Sequence, residues 1–133
     1  MRAAIAAFDA GATVTMLSSS QPSSFNDDAM VSGLASSAGE VNSSSHAADT
    51  HRVGVDLCEG DIVAAVTTSA VSHLAQLEKW GLNIRRDRNG GPYLGQLPGQ
   101  SNPRTAGTGD STLREVRAIL EEQCMKRNIP RRG

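Results

Sequence analysis

The chain has 133 residues, a formal net charge of -1 and 38% apolar residues, with one Trp, one Tyr and two Phe. This length fits a single domain, and the near-neutral charge gives no bulk attraction to nucleic acid or to an anionic membrane surface. No apolar run approaches the ~20 residues that span a bilayer, so we expect no nucleic-acid binding and no direct membrane insertion. Cys58 and Cys124 lack the spacing of a metal or redox motif, which favours two free thiols in a reducing cytoplasm.

The first 17 residues indicate a helix followed by a strand. The alanine-rich residues 2–10 predict a helix, Gly11 a turn, and residues 13–17 a short apolar strand. This order is that of the second half of a βαβ unit, in which a glycine-rich turn places a pyrophosphate at the helix N-terminus. The sequence does not show that turn or the first strand before Met1. We therefore expect an open strand edge and self-association.

Residues 18–45 are dense in serine and contain few large apolar side chains. This composition is typical of a flexible or disordered segment. The alternative is a long loop that becomes ordered around a ligand, because small side chains let the backbone approach closely.

Residues 46–133 contain the two strongest helix patterns. The first covers residues 61–80 and ends at Gly81, with these apolar residues near one face: Ile62, Val63, Val66, Ala70, Leu74, Leu77 and Trp80. The second covers residues 110–126, after a possible cap at 109–111, with Leu113, Val116, Leu120 and Cys124 on its apolar stripe. The segment between them is rich in Gly, Pro and Asn and predicts a loop with one short hairpin. The basic residues 127–133 predict a frayed, solvated end.

Single residues indicate little chemistry. The three histidines do not have the converging spacing of a metal site, so we assign no metal ligands. Ser, His and Asp are abundant without the arrangement of a catalytic triad, and we assign no catalytic residues. Arg85, Arg86 and Arg88 either hold an anion or form a solvated loop.

The order of six motifs carries more information than any one of them. They are AAIAAFDAGATVTMLS, SFNDDAMVSGLASS, HAADT, LAQLEKWGLNI, LPGQSNPR and GDSTLREVRAIL. In this order and spacing the chain resembles the FAD-dependent flavoproteins of the succinate dehydrogenase, fumarate reductase and L-aspartate oxidase family. Asp49, Thr50, Gly99 and Arg104 match the family pattern, whereas Gln100 replaces a common histidine.

The resemblance implies roles for three residues. Two correspond to positions beside the nucleotide part of FAD, and one corresponds to the position where some members attach the flavin. Ser18 corresponds to the acidic residue that holds the adenosine ribose, and a serine cannot accept from two ribose hydroxyls as a carboxylate does. Asn26 corresponds to the position where some members attach flavin through histidine, so the resemblance implies non-covalent FAD. Asp27 lies where a small hydroxyl residue is usual near the pyrophosphate, and its charge would repel phosphate.

The resemblance also implies a glycine turn along the flavin ring. Ser32, Gly33 and Leu34 replace Gly-Gly-Ile in this turn. Ser32 fits only if its φ is negative, since residues other than glycine avoid positive φ.

The fold class that follows is α/β, an incomplete Rossmann-type FAD-binding domain that is mostly helix and coil with little sheet. We divide the partial domain 1–133 into a helix and strand of a βαβ unit (1–17), a serine-rich segment like the family's flavin loop (18–45) and a helical part (46–133). The resemblance implies a fragment of an oxidoreductase that transfers hydride between FAD and a dicarboxylate, inactive alone and completed by a complementary flavoprotein polypeptide. The alternative is a small non-enzymatic interaction module without flavin binding.

Overall fold

The computed structural model describes residues 1–17, 33–36, 40–55 and 57–133. Within these ranges lie four helices and four two-residue strands, in chain order α1 (Arg2–Asp9), β1 (Met16–Leu17), β2 (Leu34–Ala35), α2 (Glu40–Gly54), α3 (Gly60–Lys79), β3 (Thr105–Ala106), α4 (Thr112–Lys126) and β4 (Arg131–Arg132). The predicted class, mostly helix and coil with little sheet, is confirmed. In the described ranges, no helix has the length and apolar character needed to cross a membrane.

The C-terminal residues form a strand, and the prediction of a frayed basic end is wrong. β4 pairs in parallel with β1, with Met16 opposite Arg131, and the Met16 N–H donates to the Pro130 carbonyl at 2.9 Å. Ile129 is 7% exposed and packs with Ile5 and Cys124. Burial of this isoleucine fixes the tail, an effect that a count of basic residues does not reveal.

Among the described residues, the hydrophobic core consists of two clusters. One contains Leu74, Leu82, Ile84, Ala106 and Val116. The other joins α1 to the end of α4 through the Ile5, Cys124 and Ile129 cluster. Leu120 packs against both clusters, so α4 is the element that connects the two halves of the core.

The long helix α3 is confirmed, and its buried face differs from the predicted stripe only at Ile62, Val66 and Thr67. It ends as predicted at Gly81, whose φ of 112° is easily reached only by glycine. Its buried residues are Val63, Thr67 and Leu74, whereas the side chains of Ile62 and Val66 are 55% and 59% exposed. In the first half of the helix the buried row therefore runs from Val63 to Thr67 and not through Val66, and Leu74 is buried as predicted.

The start of α4 is capped differently from the prediction. Ser111 occupies the N-cap position and makes no capping hydrogen bond to the helix backbone. Its hydroxyl donates instead to Glu115 Oε1 at 2.6 Å. Thr112 Oγ1 accepts from the Thr108 N–H at 3.0 Å and donates to the Gly109 carbonyl at 2.7 Å, so a buried threonine hydroxyl organises this turn.

Helix α2 was not predicted and begins inside the serine-rich segment. It packs against α3 and carries Asp49, which is 5% exposed. The expected short hairpin is present between α3 and α4, where the Tyr93 N–H donates to the Arg85 carbonyl at 2.8 Å.

Candidate functional site

Two of the six sequence-predicted cofactor residues, Gly33 and Leu34, lie in the described part of the chain. The other four, Ser18, Asn26, Asp27 and Ser32, lie outside the described residues. Leu34 lies on β2 opposite Ala106 of β3, in an antiparallel pair. The described part of the sequence-predicted cofactor site therefore lies where β2 pairs with β3.

Gly33 is needed for that contact. A Cβ atom at this position would lie 2.5 Å from Thr105 Cγ2 and 2.6 Å from the Ala106 carbonyl oxygen. These distances are far below van der Waals contact, so any larger residue would push β2 away from β3. The structure thus gives Gly33 an internal packing role in addition to the cofactor contact that the resemblance implies.

The side chains of β2 point in two directions. Leu34 packs against the larger core cluster, while Ala35 is exposed. The strand is anchored at its end by the Ser36 N–H, which donates to the Arg104 carbonyl at 2.7 Å. The residues at 33 and 35 are small, so β2 presents mainly backbone and one methyl group beside the core.

A buried polar network lies next to β3. Asp49 Oδ1 accepts from Ser101 Oγ at 2.6 Å and from Arg52 Nη2 at 2.6 Å. Asp49 Oδ2 accepts from the Ser101 N–H at 2.7 Å and from Arg104 Nη2. The Ser101 hydroxyl, the Ser101 N–H, Arg104 and Arg52, in that order of effect, hold the pKa of Asp49 far below its usual value.

Asp49 and Arg104 match the family pattern in the sequence, but the sequence alone assigns them no role. They lie 55 positions apart, and no local spacing connects them. The structure brings them together, because the loop that contains Ser101 lies against α2. Arg52 Nη2 also donates to the Gly99 carbonyl at 2.9 Å and adds a second tie between this loop and the helix.

A cleft of about 380 Å³ opens beside this network. Among its lining residues are His46, Thr50, Cys58, Gln100 and Arg104. Arg104 is 2% exposed, and its Nε and Nη1 atoms have no hydrogen-bond partner among the described residues. Burial and, less strongly, the Arg104 charge lower the pKa of His46, whereas the charge of Asp49 opposes this shift.

The remaining polar residues that the sequence singled out do not converge. Arg86 pairs with Glu78, and the Arg85 guanidinium lies 5.2 Å from the centre of the Tyr93 ring. Cys58 and Cys124 are free thiols, and burial raises the pKa of Cys124. No group of three or more His, Cys, Asp or Glu residues suited to a metal ion occurs within the described ranges.

Comparison with known proteins identifies the class of domain. The family model described as FAD binding domain matches residues 1–132, and the chain belongs to this family. FAD is the cofactor of this family. No curated protein sequence matches the chain.

Solved structures narrow the class to the flavoprotein subunits of succinate dehydrogenases and fumarate reductases. The Mycobacterium smegmatis Sdh1 structure is 25% identical, with a TM-score of 0.84 over 94% of this chain and 22% of that one. An E. coli quinol fumarate reductase FrdA variant is also 25% identical, with a TM-score of 0.83 over 97% of this chain and 22% of that one. A quinol-fumarate reductase with menaquinol molecules is 26% identical, with a TM-score of 0.82 over 97% of this chain and 23% of that one. The chain spans about a fifth of the length of these proteins.

Proposed function

We propose that the chain forms one part of the FAD site of a flavoprotein oxidoreductase that transfers hydride between FAD and a dicarboxylate. The observation that carries this proposal is the agreement of 94–97% of the chain with flavoprotein subunits at TM-scores of 0.82–0.84. Bound FAD supplies the hydride chemistry, and the protein supplies binding and orientation. The role of this chain is to place the β2 surface along the flavin, with no catalytic residue of its own.

The contacts to FAD are proposed in two groups. Gly33 and Leu34 provide backbone beside the ring, on a strand fixed by its pairing with β3. Ser18 contributes one hydrogen bond to the ribose, and Asp27, near the pyrophosphate, repels its charge. Asn26 leaves the flavin non-covalent, and Ser32 belongs with Gly33 and Leu34 to the turn along the flavin. These contacts are weaker than those of the family pattern, so the isolated chain binds FAD weakly or not measurably in dilute solution.

A complementary flavoprotein polypeptide completes the site and covers the apolar surface of the chain. Support comes from a groove of about 240 Å³ that includes Met1, Leu113, Val116 and Leu120. The groove lies between the start of α1 and α4. The similar flavoprotein subunits are several times longer than this chain, so they have further residues that could cover such a surface. The two free thiols favour a reducing compartment such as the cytoplasm.

Backbone amide spectra of the full 133-residue chain during titration with FAD test the proposal. We expect the resonances of Gly33, Leu34 and Ala35 to shift at high FAD concentration. Riboflavin should reproduce these shifts because it contains the ring, and AMP should not. Unchanged resonances for residues 33–35 at millimolar FAD would instead favour an interaction module without flavin binding.

A second experiment tests the need for a complementary polypeptide. Co-expression with a flavoprotein polypeptide that carries a strand followed by G-x-G-x-x-G should give a complex that purifies with flavin absorbance. Submicromolar FAD binding by the 133-residue chain alone would show that no complement is required.

A further inference from the structure

We propose that the cleft beside α2 binds a small oxyanion, a phosphate or a carboxylate group, through Arg104 Nε and Nη1. The observations that support this site are contacts of Arg104 and Asp49, and they do not rest on flavin binding. The inference begins with Arg104, which is almost completely buried and pairs with Asp49 through Nη2 alone. Its other two donor atoms are buried and have no partner among the described residues.

Unsatisfied buried donors on a charged group are unfavourable, and native proteins rarely leave them so. Arg104 cannot avoid this cost by losing its proton, because a guanidinium stays charged. The donors therefore need an acceptor, and the cleft of about 380 Å³ that Arg104 lines is large enough to admit one.

The charge balance of the network favours a negative acceptor. Two guanidinium groups, those of Arg52 and Arg104, converge on the single carboxylate of Asp49. The two Asp49 oxygens also accept hydrogen bonds from the N–H and the hydroxyl of Ser101, so both oxygens are already bonded to donors within the network. The network therefore carries one net positive charge, and Arg104 is the buried one of its two guanidinium groups.

The geometry of arginine suits phosphate and carboxylate in particular. Their oxygens accept charge-assisted hydrogen bonds from guanidinium donors, which are stronger than bonds between neutral groups. Gln100, at the rim of the cleft, is already engaged with Thr105 and Leu97, so the proposed contact depends on Arg104.

The test follows the Nε resonances of arginine in the isotope-labelled full chain during separate titrations with sodium phosphate and sodium acetate. Sodium chloride at matched ionic strength is the salt control. We expect the Arg104 Nε–H resonance, assigned through the side-chain carbons of Arg104 in the unchanged chain, to shift saturably. The Nε atoms of Arg117 and Arg127 already donate to Glu121 and Asp9, so their resonances are internal controls that should stay still.

The two titrations distinguish the source of the oxyanion. Saturable shifts with phosphate alone assign a phosphoryl ligand, and shifts with acetate alone assign a carboxylate. Shifts with both support a site that accepts either group. Absence of a saturable shift with both anions, or equal shifts of all arginines, would overturn the proposal and leave water as the acceptor.

A variant gives the second measurement. Arg104→Lys keeps a positive charge opposite Asp49 and removes Nε and Nη1. Its affinity for phosphate or acetate, measured by calorimetry, should therefore fall about 10- to 100-fold, which is the contribution of a hydrogen bond to a charged group. Arg86→Lys, at an exposed ion pair, should keep the affinity of the unchanged chain. If Arg104→Lys does not fold, the Nε titration of the unchanged chain still decides the question. Unchanged affinity in a folded Arg104→Lys chain would contradict the assignment.

Discussion

Arg104 and Asp49 form an ion pair in which their side chains are only 3% and 6% exposed. The pair joins the residue preceding β3 to the middle of α2, across 55 positions of sequence. Because Asp49 also accepts two hydrogen bonds from Ser101, one carboxylate fixes both the helix and the loop that packs on it. The proposed oxyanion cleft depends on this arrangement, since it lies between the same elements.

Replacing Asp49 by Asn should lower the thermal unfolding midpoint strongly. The amide keeps the size of the side chain but leaves the buried Arg104 without a counter-charge, which is more costly than losing an exposed pair. Circular dichroism melting measures the effect.

The matched control is Glu122→Gln, which removes an exposed pair with Lys126. Such a pair contributes about 0.2–1 kcal/mol at most, so this midpoint should barely move. Equal midpoints for the two variants would show that the Asp49 network is not a main support of the fold.

Stability should decrease in two stages as the pH falls. The pKa of His46 is lowered in the folded chain by burial and by Arg104. Below about pH 6.5 the unfolded chain therefore binds more protons than the folded chain, and the free energy of unfolding decreases. The pKa of Asp49 is also lowered, and that of Asp9 is lowered by its hydrogen bond with Arg127, so a second loss begins near pH 3.8. Both contributions are fully present at neutral pH and above.

Urea unfolding at a series of pH values between 8 and 3 tests these stages. In His46→Gln the first decline should disappear while the second remains, whereas His73→Gln, at an exposed position on α3, should keep both. A His46→Gln chain with an unchanged decline between pH 6.5 and 5 would contradict the assignment of that stage to His46.

The regular elements could be predicted where apolar residues recur at helical spacing. Helices α3 and α4 and the glycine stop at Gly81 follow from local pattern. Helix α2 could not be found in this way, because its residues 42–45 are polar and poor helix formers, and its stability comes from packing on α3 and from the Asp49 network. The β4 strand was also missed, since its position depends on the distant Ile5 and on β1.

The candidate site was predictable only in part for the same reason. Resemblance to a family located Gly33 and Leu34, but the clash that requires glycine at 33 arises from Thr105 and Ala106, more than 70 positions away. The unpartnered donors of Arg104 have no sequence signal at all, because an arginine in a Pro-Arg-Thr sequence is ordinarily a surface residue. Long-range contacts therefore define both the proposed flavin surface and the proposed oxyanion site.

Gly33→Ala should destabilise the chain in the absence of FAD. The added methyl group would overlap Thr105 Cγ2 and the Ala106 carbonyl, and overpacking of this kind costs about 1–3 kcal/mol. Gly95→Ala is the matched control, because its Cβ would lie 3.8 Å from the Thr105 carbonyl oxygen, an ordinary contact. Chemical denaturation measures both variants. A Gly33→Ala chain as stable as Gly95→Ala would remove the packing role and leave cofactor contact as the reason for glycine.

Self-association should occur through the β1 edge rather than through exposed apolar residues in general. β1 pairs with β4 on one side, and its second edge pairs with no other strand of the described residues. We expect an edge of this kind to pair with a second chain. Leu17 on this strand is 82% exposed, and Leu57, in the connection between α2 and α3, is 90% exposed. Both residues are apolar and solvent-accessible, but only Leu17 lies on an open edge.

Leu17→Lys should therefore shift the chain toward monomer in sedimentation velocity at several concentrations, because a lysine on an edge strand opposes pairing with a second chain. Leu57→Lys adds the same charge and removes a similar apolar area, so it separates an edge effect from a general gain in solubility. If both variants reduce association equally, exposed apolar surface drives it wherever it lies. A chain that is monomeric at every concentration, with a cooperative and concentration-independent thermal transition, would show that the β1–β4 pair alone is enough to protect the strand.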